Sequence, residues 1–300
     1  MKRWLLGVLL FFLCPLPVDA VELAIFISKD IVMYREAASA LEKQLGADKA
    51  KIYIPGSEDH PAIETVLRQI EADRPALIVA IGSKAAVESA RKFPDTPIVY
   101  TMVVYPERLG LVGHPNLFGV SWLPSPGLLA EKFRLLLPQA RRIGMLSSLP
   151  EASWAQLSRQ CENQGLDLIV AQIEDNSELP QGLRKLAHKV DALWMGSDPS
   201  LANESSFNIL RTYALQNRLP LLVPFRLPGP DKAFAGISIS PELTALAARQ
   251  LILQLLKGAH PKEPLVFTRD VELTLDRGIA KSIGLSLPRP DGSSAAKTHE

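Results

Sequence analysis

A buried strand that ends on a glycine and leads directly into a helix is the central feature of this sequence. The apolar run from Leu77 to Ile81 has the length and β-branched content of a strand covered on both faces. Gly82 and Ser83 separate this strand from a helical segment at 84–90, and Ser83 is suited to capping that helix. Free backbone N–H groups and the positive end of the helix dipole therefore form a candidate anion site near Ser83.

The same strand–turn–helix pattern runs along most of the chain and predicts an α/β fold. In the first half, strands are predicted at 21–27, 51–54, 77–81, 97–104 and 116–122, with helices at 31–45, 61–73 and 84–90. The pattern restarts after Pro124 and Pro126 and continues to about residue 237. Such alternation predicts right-handed crossovers and mainly parallel sheets. We therefore expect two doubly wound parallel-sheet lobes joined by hinge crossings.

The breaks in this pattern predict the domain boundaries. We expect an N-terminal lobe of residues 21–122 plus about 238–260, and a C-terminal lobe of residues 123–237 plus about 261–288. A strongly apolar helix at 241–256 belongs to the segment that is added to the N-terminal lobe. One last strand and a short helix at 266–283 belong to the segment that is added to the C-terminal lobe. Residues 289–300 are predicted to be a polar tail.

The N-terminus has the pattern of a secretory signal. Lys2 and Arg3 precede an apolar run from Trp4 to Cys14, and small residues suited to signal peptidase end at Ala20. An uncleaved membrane anchor is the less favoured alternative, because the run is short for a bilayer span. We therefore expect a signal peptide at residues 1–20, a periplasmic protein and no direct membrane anchor. Cleavage leaves Cys161 as the only cysteine, expected to be buried filler.

Composition and motifs disfavour several functional classes. A formal net charge of +1 and the absence of a basic stripe argue against nucleic-acid binding. None of the five histidines has metal-ligand spacing to another histidine or to a cysteine. The sequence also contains no Gly-rich phosphate loop after a strand and no Gly-x-Ser-x-Gly elbow. We therefore expect no cofactor, no metal and no enzyme activity, with a hydrolase as an alternative that only measured turnover would support.

Polar and aromatic residues at the predicted strand ends are the candidate ligand contacts. Because parallel strands end at one edge of their sheet, these residues are expected to face a common crevice. The candidates are Ser28, Gly82, Ser83, Thr101, Tyr105, Ser121 and Trp122 in the first half, and Ser148, Gly196, Ser197, Asp198 and Phe225 in the second.

Four of these candidates have a structural alternative to ligand binding. Ser83 caps its own helix, and a ligand anion held by the same amides is compatible with that role. Tyr105 precedes a proline, which favours an exposed, extended position where it stacks on a ligand ring or covers a lobe edge. Trp122 is more typical of hinge packing than of a ligand platform. Asp198 pairs with a ligand ammonium group or, as the favoured interpretation, caps the turn that follows it.

Several segments together resemble a known family. They are Ile81–Ala86, the segment from Pro97 through Tyr105 and Pro106 to Gly110–Val112, Asn116–Ser121, and a C-terminal region comprising 251–261 and 279–285. These segments resemble the substrate-binding proteins of ABC transporters, in the group that includes tryptophan and tyrosine uptake proteins. The resemblance implies a type I periplasmic-binding-protein fold with three crossings that closes on a small ligand.

The function that we expect is therefore that of a periplasmic solute-binding protein. It would bind a small molecule, such as an amino-acid-like or aromatic compound, between its lobes as a monomer and deliver it to the membrane permease of an ABC-type uptake system. The alternative is a periplasmic ligand sensor or accessory module of the same fold without a transport role.

Overall fold

The computed structural model describes residues 22–46, 50–56, 62–227, 233–285 and 297–299. The predicted signal peptide, Pro61 and most of the predicted polar tail lie outside these residues. Within the described part of the chain, no helix has the length and hydropathy needed to cross a membrane.

The strands and helices alternate along the chain as the sequence predicts. The strands are β1 (Leu23–Ile27), β2 (Ala50–Tyr53), β3 (Leu77–Ile81), β4 (Ile98–Val103), β5 (Leu117–Ser121), β6 (Arg142–Ser147), β7 (Asp167–Gln172), β8 (Ala192–Trp194), β9 (Leu221–Val223), β10 (Ala235–Ser238), β11 (Leu265–Val266), β12 (Glu272–Asp276) and β13 (Lys297–His299). The helices are α1 (Val32–Leu45), α2 (Ile63–Asp73), α3 (Ser83–Lys92), α4 (Pro126–Leu136), α5 (Ala155–Asn163), α6 (Leu179–Leu186), α7 (Glu204–Gln216), α8 (Pro241–Leu256) and α9 (Arg277–Ser282).

The first lobe is a parallel sheet covered by helices on both faces. Its six strands lie in the order β11–β5–β4–β3–β1–β2, and every neighbouring pair is parallel. Helices α1 and α8 pack together on one face, whereas α2 and α3 contribute their buried residues to the core on the other face. The strands β1 and β3 are buried along their whole length, as expected for a sheet with two covered faces.

The second lobe repeats this architecture, except that the two strands at one edge, β12 and β13, are reversed. Its order is β13–β12–β10–β9–β8–β6–β7, in which β12 runs antiparallel to β10 and the other neighbours are parallel. Residues of α4, α5 and α9 join the core on one face, and residues of α6 and α7 join it on the other. The prediction of two doubly wound α/β lobes is therefore confirmed.

Within the described residues, the chain passes between the two sheets three times. The passages follow β5, β10 and β11, because β10 belongs to the second sheet, β11 to the first and β12 to the second. Trp122, at the first passage, packs against the cores of both lobes.

Three sequence-based expectations about the C-terminal region differ from the structure. The first lobe does not end near residue 260, because Leu265 and Val266 pair with Gly119 and Val120 of the first sheet. The single last strand expected from residue 266 is two strands in different sheets. A two-residue strand is too short to produce a periodic pattern, so the tertiary pairing alone identifies β11. Residues 297–299, expected to belong to a polar tail, form β13 beside β12.

Candidate ligand-binding cleft

The carboxyl edge of the first sheet brings three of the predicted site residues together. The Ser28 hydroxyl accepts a hydrogen bond of 2.8 Å from the Ala85 N–H in the first turn of α3. The Gly82 N–H donates a hydrogen bond of 2.8 Å to the Thr101 carbonyl. This bond joins the ends of β3 and β4 next to the N-terminus of α3. The Thr101 hydroxyl is buried and has no partner among the residues that the structure describes.

Ser83 does not cap α3, contrary to the sequence-based expectation. Gly82 is the N-cap residue, with φ 90° and ψ 163°. The capping oxygen comes from Ser28, which lies 57 residues before its hydrogen-bond donor Ala85. Ser83 itself is the exposed first residue of the helix. Within the described ranges, the backbone N–H groups of Ser83 and Lys84 have no hydrogen-bond acceptor. The prediction of free amides at this point therefore agrees with the geometry, although the capping residue was wrong.

Tyr34 is a residue of this edge that sequence reasoning missed. It lies in the first turn of α1, and a Cβ atom added to Gly82 would be 2.7 Å from the Tyr34 hydroxyl oxygen and 2.6 Å from Ser28 Oγ. Burial raises the pKa of the half-buried Tyr34 above its ordinary value. The order of elements could have predicted this position of Tyr34, because α1 follows β1 directly and the first turn of α1 must lie at the carboxyl edge of the sheet.

The end of β4 is irregular and directs Tyr105 toward the second lobe. The register with β5 shifts between Tyr100 and Val103, and Met102 has φ 56°. Tyr105 has φ 52° and ψ 60°, so it is left-handed and half-buried rather than extended and exposed as expected. The proline after it disfavours a right-handed helical conformation but does not exclude this one. Non-glycine residues with positive φ are uncommon and concentrate at functional sites.

Tyr105 lies across the cleft from a charged residue of the second lobe. Burial is the main cause that raises the pKa of Tyr105 to about 12, followed by the negative charges of Asp198 and Glu107. Tyr105 and Asp198 also line one cavity. The carboxyl edges of the two sheets therefore face each other at this point.

Asp198 joins two strand ends of the second lobe. The carboxylate is buried and accepts hydrogen bonds from the Ser148 N–H at 2.6 Å, the Ser148 hydroxyl at 2.9 Å and the Ser200 N–H at 2.9 Å. These bonds connect the end of β6 to the loop after β8 and cap the turn at Ser200, which is the favoured structural interpretation of Asp198. Pairing of Asp198 with a ligand ammonium group stays a prediction.

A small cavity opens between Tyr105 and this network. Its volume is about 100 Å³, and most of its lining is apolar. Predicted residues Gly196 and Ser197 contribute to it, whereas the aromatic residues Trp154 and Trp194 were not predicted. The remaining lining residues are Leu123, Pro124, Pro126, Leu129, Met145, Leu146, Ser147, Leu149, Ser153 and Leu157.

A larger cavity of about 510 Å³ lies beside the first and shares Gly196 with it. The predicted residue Phe225 lines it together with Phe207, and the two rings meet edge to face with centroids 5.6 Å apart. Asn203 and Glu204 at the start of α7 and Arg211 in its middle supply polar groups. A volume of about 300–1,000 Å³ with an apolar lining and a few polar groups is typical of small-molecule sites.

The two remaining candidates, Ser121 and Trp122, lie at the first passage between the lobes. The Ser121 hydroxyl donates to the Leu123 carbonyl at 2.9 Å and accepts from the Leu123 N–H at 3.1 Å, so both contacts are local. Their predicted ligand contacts stay predictions.

The described residues contain no group of three or more His, Cys, Asp or Glu side chains placed to hold a metal ion. Cys161 is fully buried, as predicted, and burial raises the pKa of its thiol to about 12.

A family model described as ABC transporter substrate binding protein matches residues 37–297. The chain belongs to the ABC transporter substrate-binding protein family. This membership confirms the resemblance identified from the sequence, and the family consists of binding proteins. No match was found among curated proteins.

Solved structures with the same fold include three bacterial proteins. The ligand-free, open structure of a substrate-binding protein with adhesive properties from Clostridium difficile is 22% identical, with a TM-score of 0.71 over 92% of this chain and 99% of that chain. An ABC domain in complex with L-Trp from Streptococcus pneumonia is 20% identical, with a TM-score of 0.60 over 92% and 99% of the two chains. A conserved domain protein from Vibrio cholerae is 18% identical, with a TM-score of 0.62 over 93% and 100%.

Proposed function

We propose that this substrate-binding protein works in the periplasm, where it holds a small molecule between its two lobes and delivers it to the membrane permease of an ABC-type uptake system. The observation that carries the proposal is the position of Tyr105 opposite Asp198. It supports a cleft in which the carboxyl edges of both sheets contact one ligand. The N-terminal signal pattern supports export, and the protein acts as a monomer.

The two lobes have different roles in ligand binding. The free N–H groups of Ser83 and Lys84 hold an anionic group of the ligand, since the positive end of the α3 dipole lies there. The second lobe receives the apolar part of the ligand in the cavities around Gly196. Only the closed state makes both sets of contacts, so the ligand shifts the open–closed equilibrium toward closure.

The ligand class that best fits these contacts is an amino-acid-like molecule with an apolar or aromatic side chain. A carboxylate suits the α3 amides, and the larger cavity contains the aromatic pair Phe207 and Phe225. The Streptococcus pneumonia protein, whose structure contains L-Trp, is a neighbour with this ligand chemistry.

Thermal-shift screening of the mature chain tests the binding function. Amino acids, nucleosides, sugars and small organic acids would be compared, since a ligand at 100 times its Kd stabilises the folded state by about 2.7 kcal/mol. Small-angle scattering of the protein with and without the best compound would then measure closure. A screen without a stabilising compound, or binding without a change in the scattering profile, would contradict the two-lobe mechanism.

A matched pair of substitutions tests the amide site. Ser83→Pro removes the N–H at the first helical position, where proline fits the helix, and Ser83→Ala keeps that N–H. We expect Ser83→Pro to lower the affinity for an anionic ligand by about tenfold, which corresponds to the loss of one charge-assisted hydrogen bond. Ser83→Ala should leave this affinity unchanged. Equal affinities for the two variants would contradict the anion site at α3.

Uptake experiments test the transport role. A strain that lacks this protein should lose uptake of the identified ligand and regain it when the protein is restored. Normal uptake in the deletion strain would instead favour the ligand-sensor alternative.

A further inference from the structure

Three consecutive apolar residues lie exposed at the start of α1. The exposed fraction is 42% for Ile31, 73% for Val32 and 47% for Met33. The strand before them, β1, is buried along its whole length, and the next residue, Tyr34, is half-buried beside Gly82. A run of exposed apolar side chains on a folded protein usually marks a surface that another surface covers. We call these three residues the apolar lip.

The apolar lip lies at the cleft and is part of an ordered turn. It follows β1, so it belongs to the carboxyl edge of the first sheet, which is the edge that faces the second lobe. The Ile31 N–H donates a hydrogen bond of 3.0 Å to the Lys29 carbonyl, and Arg35 forms an ion pair with Asp30. These contacts hold the exposed side chains at the cleft, so the lip is not a frayed helix end.

The larger cavity takes its walls from the second lobe alone. Among the described residues, all that line it lie between Met195 and Phe225. Ala202, Phe207 and Pro224 belong to its apolar part. Small-molecule sites usually bury about 70–90% of the ligand surface, so a complete site here requires a wall from the first lobe.

The repeated architecture indicates which part of the first lobe faces this cavity. Five strands have the same order in both sheets, so that β4 corresponds to β9, β3 to β8 and β1 to β6. Tyr105, two residues after β4, lines one cavity with Asp198 after β8 and Leu149 after β6. Equivalent bodies that face each other through equivalent edges make reciprocal contacts. Phe225, two residues after β9, should therefore face the segments after β3 and β1, and the apolar lip follows β1.

We propose that the apolar lip is the first-lobe wall of the larger cavity and a determinant of ligand specificity. Closure places Val32 and Met33 over Phe207 and Phe225, either directly or with an apolar group of the ligand between them. This inference rests on the proposed function, because the lip completes the same site. A polar ligand group against the lip would lose its hydration without gaining a hydrogen bond, so the lip favours ligands that carry an apolar group there.

Disulfide trapping tests this contact without any ligand. Met33→Cys is combined with Ala202→Cys or with Arg226→Cys, and each double variant of the mature chain is oxidised in its ligand-free form. Ala202 lines the cavity, and Arg226 lies three residues after β9. Cys161 is fully buried and does not compete for the new thiols. We expect at least one of the two pairs to form a disulfide as the lobes close.

A control pair and a polar substitution make the test quantitative. Leu135→Cys with Ala202→Cys is the control pair, since Leu135 is 40% exposed but lies at the end of α4, which leads to the amino end of β6. Val32→Thr in the trapping variant should slow disulfide formation about fourfold, the effect of one methyl group withdrawn from an apolar contact. Leu135→Gln should leave the rate unchanged. Thermal melts would establish that each variant is folded.

Two results would overturn the proposal. The first is that neither lip pair forms a disulfide faster than the control pair, and the second is that Val32→Thr and Leu135→Gln change the rate equally. Both measurements are made without ligand, so they are independent of the compound screen. Trapping of the lip in a protein that binds no compound would contradict the proposed function alone, whereas a bound compound without lip trapping would contradict the lip alone.

Discussion

Replacing Gly82 by alanine should disturb the site and the fold together. Gly82 has φ 90° and ψ 163°, a backbone region that is almost exclusive to glycine. The added Cβ would also lie 2.6 Å from Ser28 Oγ, 2.7 Å from the Tyr34 hydroxyl oxygen and 2.8 Å from Tyr34 Cζ. Separations below about 3 Å require the neighbours to move. Movement of Ser28 would break its hydrogen bond to the Ala85 N–H at the start of α3.

Two contributions determine the expected loss of stability. The backbone conformation costs about 1–3 kcal/mol for a residue with a Cβ atom. Loss of the capping bond from Ser28 and displacement of Tyr34 add about 1–2 kcal/mol, the usual cost of losing a helix N-cap. Gly46 supplies a matched control, since it has φ 96° and nothing within 4 Å of its added Cβ. Gly46→Ala should therefore show a backbone cost alone.

The assay compares the thermal melts of the two variants with that of the unsubstituted protein. A domain of 150–250 residues loses about 2–4 °C in Tm per kcal/mol. We therefore expect Gly82→Ala to melt about 2–8 °C below Gly46→Ala, and to bind an anionic ligand more weakly. If the two variants melt at the same temperature, the packing of Ser28 and Tyr34 around Gly82 does not stabilise this edge, and the reasoning fails.

Three further predictions concern other buried groups. Asp198→Asn should destabilise the protein by about 1–3 kcal/mol in urea melts, because an amide nitrogen cannot accept one of the bonds that the carboxylate now accepts. Asp191 is a half-exposed carboxylate that also accepts hydrogen bonds from backbone N–H groups, so Asp191→Asn should destabilise the protein less than Asp198→Asn does. A larger loss of stability for Asp191→Asn would contradict the prediction. Because the pKa of Tyr105 is raised to about 12, its protonated phenol stabilises the fold fully below pH 10, and this stability is lost as the pH rises through 12. Tyr105→Phe should not lose this contribution at alkaline pH. If the variant and the unsubstituted protein lose stability in urea melts in parallel as the pH rises, the raised pKa of Tyr105 is refuted. Cys161, whose thiol has a pKa raised to about 12, should not react with a disulfide reagent at pH 8 until the protein unfolds, and rapid reaction of the native protein would show that it is accessible.

Local patterns predicted most of the secondary structure but not the pairing of its shortest elements. Continuous apolar runs such as Leu77–Ile81 identify strands because a strand that is buried on both faces consists almost entirely of hydrophobic residues. By contrast, β11 has two residues, and its place in the first sheet depends on contacts with Gly119 and Val120. The third passage between the lobes therefore lies after Val266 rather than near residue 260.

The candidate site was predictable in position but not in detail. Topology places Ser28, Gly82 and Thr101 at one sheet edge, and they do lie together. Which side chain caps α3 depends on a contact between Ser28 and Ala85 that are 57 residues apart, and no local pattern contains that information. Trp154 was missed for the same reason, because it lines the cleft only when β6, β8 and α4 surround it.

The sequence by itself determined the fold class, the family and the location of the candidate site. These follow from the order of strands and helices, since parallel strands present their carboxyl ends at a common edge. Only the tertiary structure decided the conformation of Tyr105 and the partners of Asp198. Each depends on the separation between atoms distant in the chain, and such separations are set when the lobes pack rather than by neighbouring residues.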